Sequence, residues 1–446
     1  MVTRRGFLKT SAGAAGAALA ASACGGSSDA PCTPNPTGSG CSSQLPDASY
    51  FTQLAQDLTA AGYGTPQIVI DLDRLDANAD AIVTGIGRDR YRIVEKSLPS
   101  LDLLSYVSSR TGSDRFMVLH LPFLPTILAA LPNAQVLVGK PQPLAAMLQF
   151  FAAIPPGEWP VVAQRVRFLA DSAKRVADLA QLAANMSLTL QVAIEIDIGL
   201  HRGGVRTPEG LPDVLAVFVA NPGALVFAGL LGYDGHVANT PAGPGLEEYA
   251  ARQQWQTATD RYQSFVDVVQ EQFPDLARPD LIFNSGGTAT YPLYTSGPVN
   301  DVAVGGGMLR PASYPNTFVS ALTPASFIAA PVLAHYDTVD LPLIKKMSKT
   351  MWSDQQMFTI YGGGWAAEFV WPPGASLAPL VNDAENKNLV PNQSWLVAPT
   401  SPPIMPDDWI FQHPREADAI FQFENILLVR DGRLQPMTWR SFPRRY

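Results

Sequence analysis

Residues 90–107 read RYRIVEKSLPSLDLLSYV. YRIVEKS is a short apolar run of strand type that closes on Glu95-Lys96-Ser97. Pro99 breaks it, and LDLLSYV then repeats its apolar residues at helical spacing. A strand that hands over at once to a helix is one unit of an α/β fold. On a surface a lysine at that hand-over needs no explanation; at the C-terminal end of a barrel strand it stands where such folds keep their chemistry.

Working outward, the same unit recurs. Near-continuous apolar runs follow at FMVLHL (116–121), QVLVGK (135–140), RVRFLAD (165–171), LQVAIEIDIG (190–199), LVFAGLLGYDG (225–235), LIFNSGG (281–287) and DVAVGGG (301–307). Amphipathic segments such as SAKRVADLAQLAANM separate them. With YRIVEKS this makes eight strands, and the rhythm predicts a closed parallel (β/α)8 barrel of TIM type over 47–312, with an open doubly wound sheet as the alternative. Beyond Pro311 helical periodicity fades and short β-like runs appear, among them MFTIYGGGW, SWLVAP and ENILLVRDGRL. They predict a C-terminal all-β domain over 313–446, which the strand at 66–72 is a candidate to join. Asp71 and Asp73, where that strand meets a helix, read as helix caps.

The bulk numbers narrow the classes. Of 446 residues 47% are hydrophobic and 16% charged, with a net charge of −8, which describes a folded protein and argues against nucleic acid as a partner. Residues 1–24 pair Arg4-Arg5 with a weakly hydrophobic Ala/Gly run and end in Ala21-Ser22-Ala23-Cys24, the pattern of a twin-arginine export signal. A Pro/Ser/Gly-rich tether follows over 25–46. The expected location is the periplasm or cell envelope, after simple cleavage or with a lipid anchor at Cys24. All three cysteines, Cys24, Cys32 and Cys41, lie in this leader and tether, so the folded body has no thiolate chemistry; with Cys24 lipidated, Cys32 and Cys41 are left to pair.

The strand ends carry the candidate chemistry. The first ends at Lys96, the fifth at Asp197 to Arg202, and the sixth at Tyr233-Asp234-Gly235-His236. The seventh ends at Ser285-Gly286-Gly287-Thr288 and the eighth at Gly305-Gly306-Gly307. Two glycine turns on adjacent strand ends let backbone approach a phosphate closely, and Ser285 and Thr288 add hydroxyls. A lysine opposite such a site suggests pyridoxal phosphate held as a Schiff base.

RIVEKSLPS, EIDIGLHRGGV, GYDGH, NSGGTATYP and AVGGG stand in the order and spacing of the alanine racemase-like, fold type III pyridoxal phosphate enzymes. The chain resembles their D-threonine aldolase/D-serine dehydratase branch, and within it the amino acid deaminase/aldolase proteins, from about Thr65 to the end. The resemblance implies Lys96 as covalent anchor and Arg202 at the cofactor's phenolic oxygen, with His201 beside it. It implies Tyr233 and His236 lining the pocket, and Ser285, Gly286, Gly287, Thr288, Gly305 and Gly306 around the phosphate. His413 would reach in from the β domain, and His236 or His413 would move protons. The relatives' metal pair is eroded here, leaving His413 and Glu416 as candidate ligands for Mn or Zn. The implied function is a lyase on D-3-hydroxy-amino acids, D-threonine aldolase-like. A D-serine/D-threonine dehydratase, a racemase, and a non-catalytic pyridoxal phosphate-binding envelope protein are the alternatives. A homodimer is implied as well.

Overall fold

Each strand of the barrel is short and buried on both faces, which is why it reads as an unbroken apolar run rather than an alternating one. The structure is a computed structural model that describes residues 45–314, 317–341, 348, 350–378 and 392–443. The leader, most of the tether and the three cysteines lie outside the described residues. A first strand, β1 (Gln67–Asp71), precedes the barrel. Eight parallel strands then close on one another: β2 (Tyr91–Val94), β3 (Arg115–Val118), β4 (Gln135–Val138), β5 (Val166–Ala170), β6 (Leu190–Glu195), β7 (Leu225–Leu231), β8 (Ile282–Ser285) and β9 (Asp301–Val304). The barrel expectation holds; each strand stops before its apolar run ends, so the polar residues singled out above lie in the loops of one rim, apart from Ser285, which ends β8.

Inside the barrel, Met117, Leu137, Leu169, Ala193 and Ala303 form a packed layer. Below it a buried ion pair ties the first strand to the last, with Arg92 donating through Nε (2.7 Å) and a terminal nitrogen (2.8 Å) to the two oxygens of Asp301. Arg92 also donates to the carbonyls of Phe116 and Gln135, and Asn284 donates to Asp301, so the buried charges keep hydrogen-bond partners. Gly229 on β7 has φ +126°, and a Cβ there would lie 1.9 Å from the Ile282 carbonyl oxygen, so this close strand contact admits only glycine.

The second domain is a nine-stranded sheet. Its strands are β1 together with β10 (Ser326–Tyr336), β11 (Gln355–Tyr361), β12 (Ala367–Trp371), β13 (Ser376–Leu377), β14 (Gln393–Pro399), β15 (Trp409–Pro414), β16 (Asn425–Arg430) and β17 (Arg433–Arg440). β1 sits between β10, antiparallel, and β16, parallel. The helix Ala48–Ala60, which the sequence pattern assigned to the barrel, packs Phe51, Leu54 and Leu58 on this sheet against Val69, Phe327 and Phe411. Asp71 caps the next helix, Leu72–Ile86, by accepting from the amides of Asp73 and Arg74. The sheet domain meets the barrel rim through Phe421, beside His120 and Phe123, and through Phe442, stacked on Phe123 at 4.5 Å.

Candidate active site

The turn Glu95–Ser97 that follows β2 is a single tight 3₁₀ turn, and its flanks are pinned. Glu95 is fully buried and accepts hydrogen bonds from the Leu119 amide (3.0 Å) and His120 Nδ1 (3.0 Å). Ser97 is buried on the other side. Lys96 between them is exposed and faces the cavity at the barrel mouth. Burying both neighbours in a tight turn leaves the lysine one direction in which to project.

That cavity holds about 710 Å³ free of protein atoms, its mouth included. The two glycine turns form part of its wall, the second of them beside the Lys96 turn. Gly286 has φ +83°, a conformation side chains rarely adopt. A Cβ on Gly305 would come within 2.8 Å of Val94 and 2.9 Å of Ser97, and one on Gly306 would lie 2.8 Å from the hydroxyl of Tyr314. Thr288 Oγ1 accepts from the Gly307 amide at 2.8 Å and so locks one turn to the other. The backbone thus forms the cavity surface where side chains cannot stand.

Arg202 enters the same cavity from the loop after β6. Its guanidinium lies 4.8 Å over the Tyr233 ring and 3.9 Å from Glu195, a buried carboxylate whose pKa burial raises and the Arg202 charge lowers in part. The loop itself is held by Asp197. Burial works against that carboxylate's charge, yet hydrogen bonds from His201 Nδ1 (2.8 Å), the Gly199 and His201 amides and Arg206 outweigh it and hold the acid far below its ordinary range. His201, at φ +59°, therefore serves the loop, with its ring largely exposed.

Two tyrosines face the cavity. Burial, then the Asp234 carboxylate, raises the Tyr233 hydroxyl. Burial pushes Tyr314 up to about 12. Tyr314 was not anticipated; it lies just past the last barrel element in an irregular segment, and no periodicity marks it.

Other expectations meet a different geometry. Ser285 does not line the cavity: its hydroxyl is buried 2.9 Å from that of Tyr294, which donates to Asp234 at 2.7 Å. His236 is likewise absent from the lining. Its ring lies under the β6 loop, where a Cβ on Gly199 would stand 2.8 Å from Nε2, and among the described residues neither ring nitrogen has a hydrogen-bond partner. His413, on β15, is buried and donates from Nε2 to the Arg310 carbonyl at 2.8 Å, and burial lowers its pKa to about 4. Glu416 turns the other way and accepts from Ser313 Oγ at 3.0 Å. The expected metal pair is therefore not assembled: the two side chains engage different partners, and no group of three or more His, Cys, Asp or Glu among the described residues is placed to hold an ion. His120 packs on Phe123 and Phe421 and bonds Glu95.

Residues 70–308 match the family described as alanine racemase, N-terminal domain. The chain belongs to that family. It is thereby a fold type III pyridoxal phosphate protein. Solved structures agree on the fold. D-threo-3-hydroxyaspartate dehydratase from Delftia sp. HT23 is 16% identical, covering 86% of this chain and 98% of that one at a TM-score of 0.65. D-threonine aldolase from Filomicrobium marinum is 18% identical, covering 84% and 96% at 0.61. Alanine racemase from Bacillus anthracis, with bound L-Ala-P, is 14% identical, covering 85% and 98% at 0.59. No curated protein matches the sequence significantly.

The residues present fit the cofactor that the family implies. An amine projects into the cavity, a side-chain-free backbone cradle lines it, and a guanidinium stands at its flank.

Proposed function

We propose that the protein is a pyridoxal phosphate-dependent lyase acting on D-3-hydroxy-amino acids, cleaving Cα–Cβ in the manner of a D-threonine aldolase. The observation that carries the reading is the convergence of Lys96, Arg202 and the two glycine turns on one cavity. Lys96 would anchor the cofactor, with Gly286, Gly287, Thr288, Gly305 and Gly306 holding its phosphate and Arg202 at its ring. When bound, the cofactor supplies an electron sink for the bond broken at the substrate's Cα. Lys96 Nζ and the Tyr233 and Tyr314 hydroxyls are groups on the cavity wall able to take or return a proton there. Tyr233, raised by burial, holds its proton at neutral pH and so acts first as a donor. Tyr314 Oη, poised over Gly306, orients what the cradle holds.

A dehydratase is the second reading, supported by the likeness to the hydroxyaspartate dehydratase fold. Product analysis separates the two: glycine and an aldehyde from the aldolase, a 2-oxo acid and ammonia from the dehydratase. The purified protein is expected to show a visible cofactor band that Lys96→Ala abolishes and D-threonine or D-serine shifts. A colourless protein that takes up no pyridoxal phosphate overturns the reading. Export by the twin-arginine route to the envelope, with lipidation at Cys24 as its variant, is proposed on the leader Arg4 to Cys24, and a homodimer on the family resemblance.

A further inference from the structure

We infer that Glu416 selects the substrate by charge, excluding side chains that carry a second carboxylate; this rests on Lys96 anchoring an amino-acid site. A second chamber, about 890 Å³ with its mouth, opens beside Lys96 and shares Tyr233, Gly287, Thr288 and Tyr314 with the first. Glu416 and Ser313 form its outer wall. Among the described residues that line it Lys96 is the one cation, and on the proposed reading that charge is spent on the cofactor. Glu416 accepts a hydrogen bond from Ser313 Oγ, and no cation among the described residues pairs with it. Its neighbour Arg415 turns instead to Glu368, at 3.5 Å. The other acid in the wall, Asp234, is buried and tied to Tyr294.

A chamber walled by two tyrosines and an uncompensated carboxylate thus carries negative charge once Lys96 is engaged. A second carboxylate entering it meets like charge at the exposed Glu416 side chain, whereas a methyl or hydroxyl end does not. Rejection by a repulsive element is an established route to discrimination. The selection inferred here separates this chain from the solved relative whose name specifies 3-hydroxyaspartate.

The test is titration of the cofactor-loaded protein with D-threonine and with D-threo-3-hydroxyaspartate, following the visible band for Kd. Wild type is expected to bind D-threonine about two- to fivefold more tightly. Glu416→Gln keeps an acceptor for Ser313 but removes the charge, so the ratio is expected to fall towards unity through tighter binding of the diacid. Glu416→Lys is expected to invert it. Unchanged melting temperatures show that the variants fold. A ratio identical in wild type and Glu416→Gln overturns the inference while leaving the enzyme reading intact. A band that no D-amino acid moves overturns the enzyme reading, and this inference falls with it.

Discussion

His413 donates its Nε2 proton to the backbone carbonyl of Arg310 at 2.8 Å, across the junction of sheet domain and barrel. The bond requires a buried imidazole, and burial lowers that ring from its ordinary 6.5 to about 4. Between these values the unfolded chain binds a proton that the folded chain refuses. Stability is therefore complete above the ordinary histidine value and is lost as pH falls towards the folded one, by up to about 1.4 kcal/mol per pH unit. His413→Gln keeps a donor for Arg310 and removes the titration, so urea unfolding should show a flatter pH dependence in the variant. Equal slopes in the two proteins would refute the assignment.

Lys96 is exposed in the cavity and its neighbours, not its own side chain, hold the turn. Lys96→Ala should therefore leave the stability of the cofactor-free protein within about 0.5 kcal/mol of wild type. Cofactor content, read as phosphate and as visible absorbance, should vanish. A variant that retains the band would place the anchor elsewhere.

Gly305 is closed in by Val94 and Ser97, with the position of a Cβ 2.8 Å from the first. Its φ of −123° is not left-handed, so the main objection to a side chain there is steric. Gly305→Ala is expected to cost about 1–3 kcal/mol through overpacking and to weaken pyridoxal phosphate binding by moving the cradle. Wild-type affinity in that variant, measured by equilibrium dialysis, would show that the cradle lies elsewhere.

Arg202 stacks on Tyr233 as a flat guanidinium and keeps Glu195 within 3.9 Å. A lysine there keeps the charge but loses the planar face. Arg202→Lys should weaken the cofactor's Kd by about tenfold, the loss of about 1.4 kcal/mol, with little change in melting temperature. A shift in melting temperature without a shift in Kd would mean that the stack is structural.

Asp301 balances Arg92 in the floor of the barrel, both 1% exposed. Asp301→Ala leaves a buried guanidinium without its partner and is expected to destabilise by about 3–5 kcal/mol. Chemical denaturation measures this directly, and a loss below about 1 kcal/mol would mean that the pair is not the tie that closes the barrel.

The order of elements was determined by the sequence itself. Runs buried on both faces, spaced by amphipathic segments, leave a parallel barrel as their simplest packing, and glycines bunched at strand ends mark where backbone must come close. Lys96 and the two glycine turns were legible for the same reason: their positions follow from strand periodicity. Side-chain direction in the loops was not. His236, His413 and Ser285 stand in the right segments, but each turns to a partner that only the folded chain supplies: the face of Gly199, the Arg310 carbonyl, the Tyr294 hydroxyl. Tyr314 and Glu416 turn the opposite way, into the chambers beside Lys96, from irregular segments that carry no period. The helix Ala48–Ala60 joined the sheet domain because Phe51 found Phe327 and Phe411 there. Periodicity dictates which face of a regular element is buried; in a loop the available partner decides, and that partner is fixed only by tertiary packing.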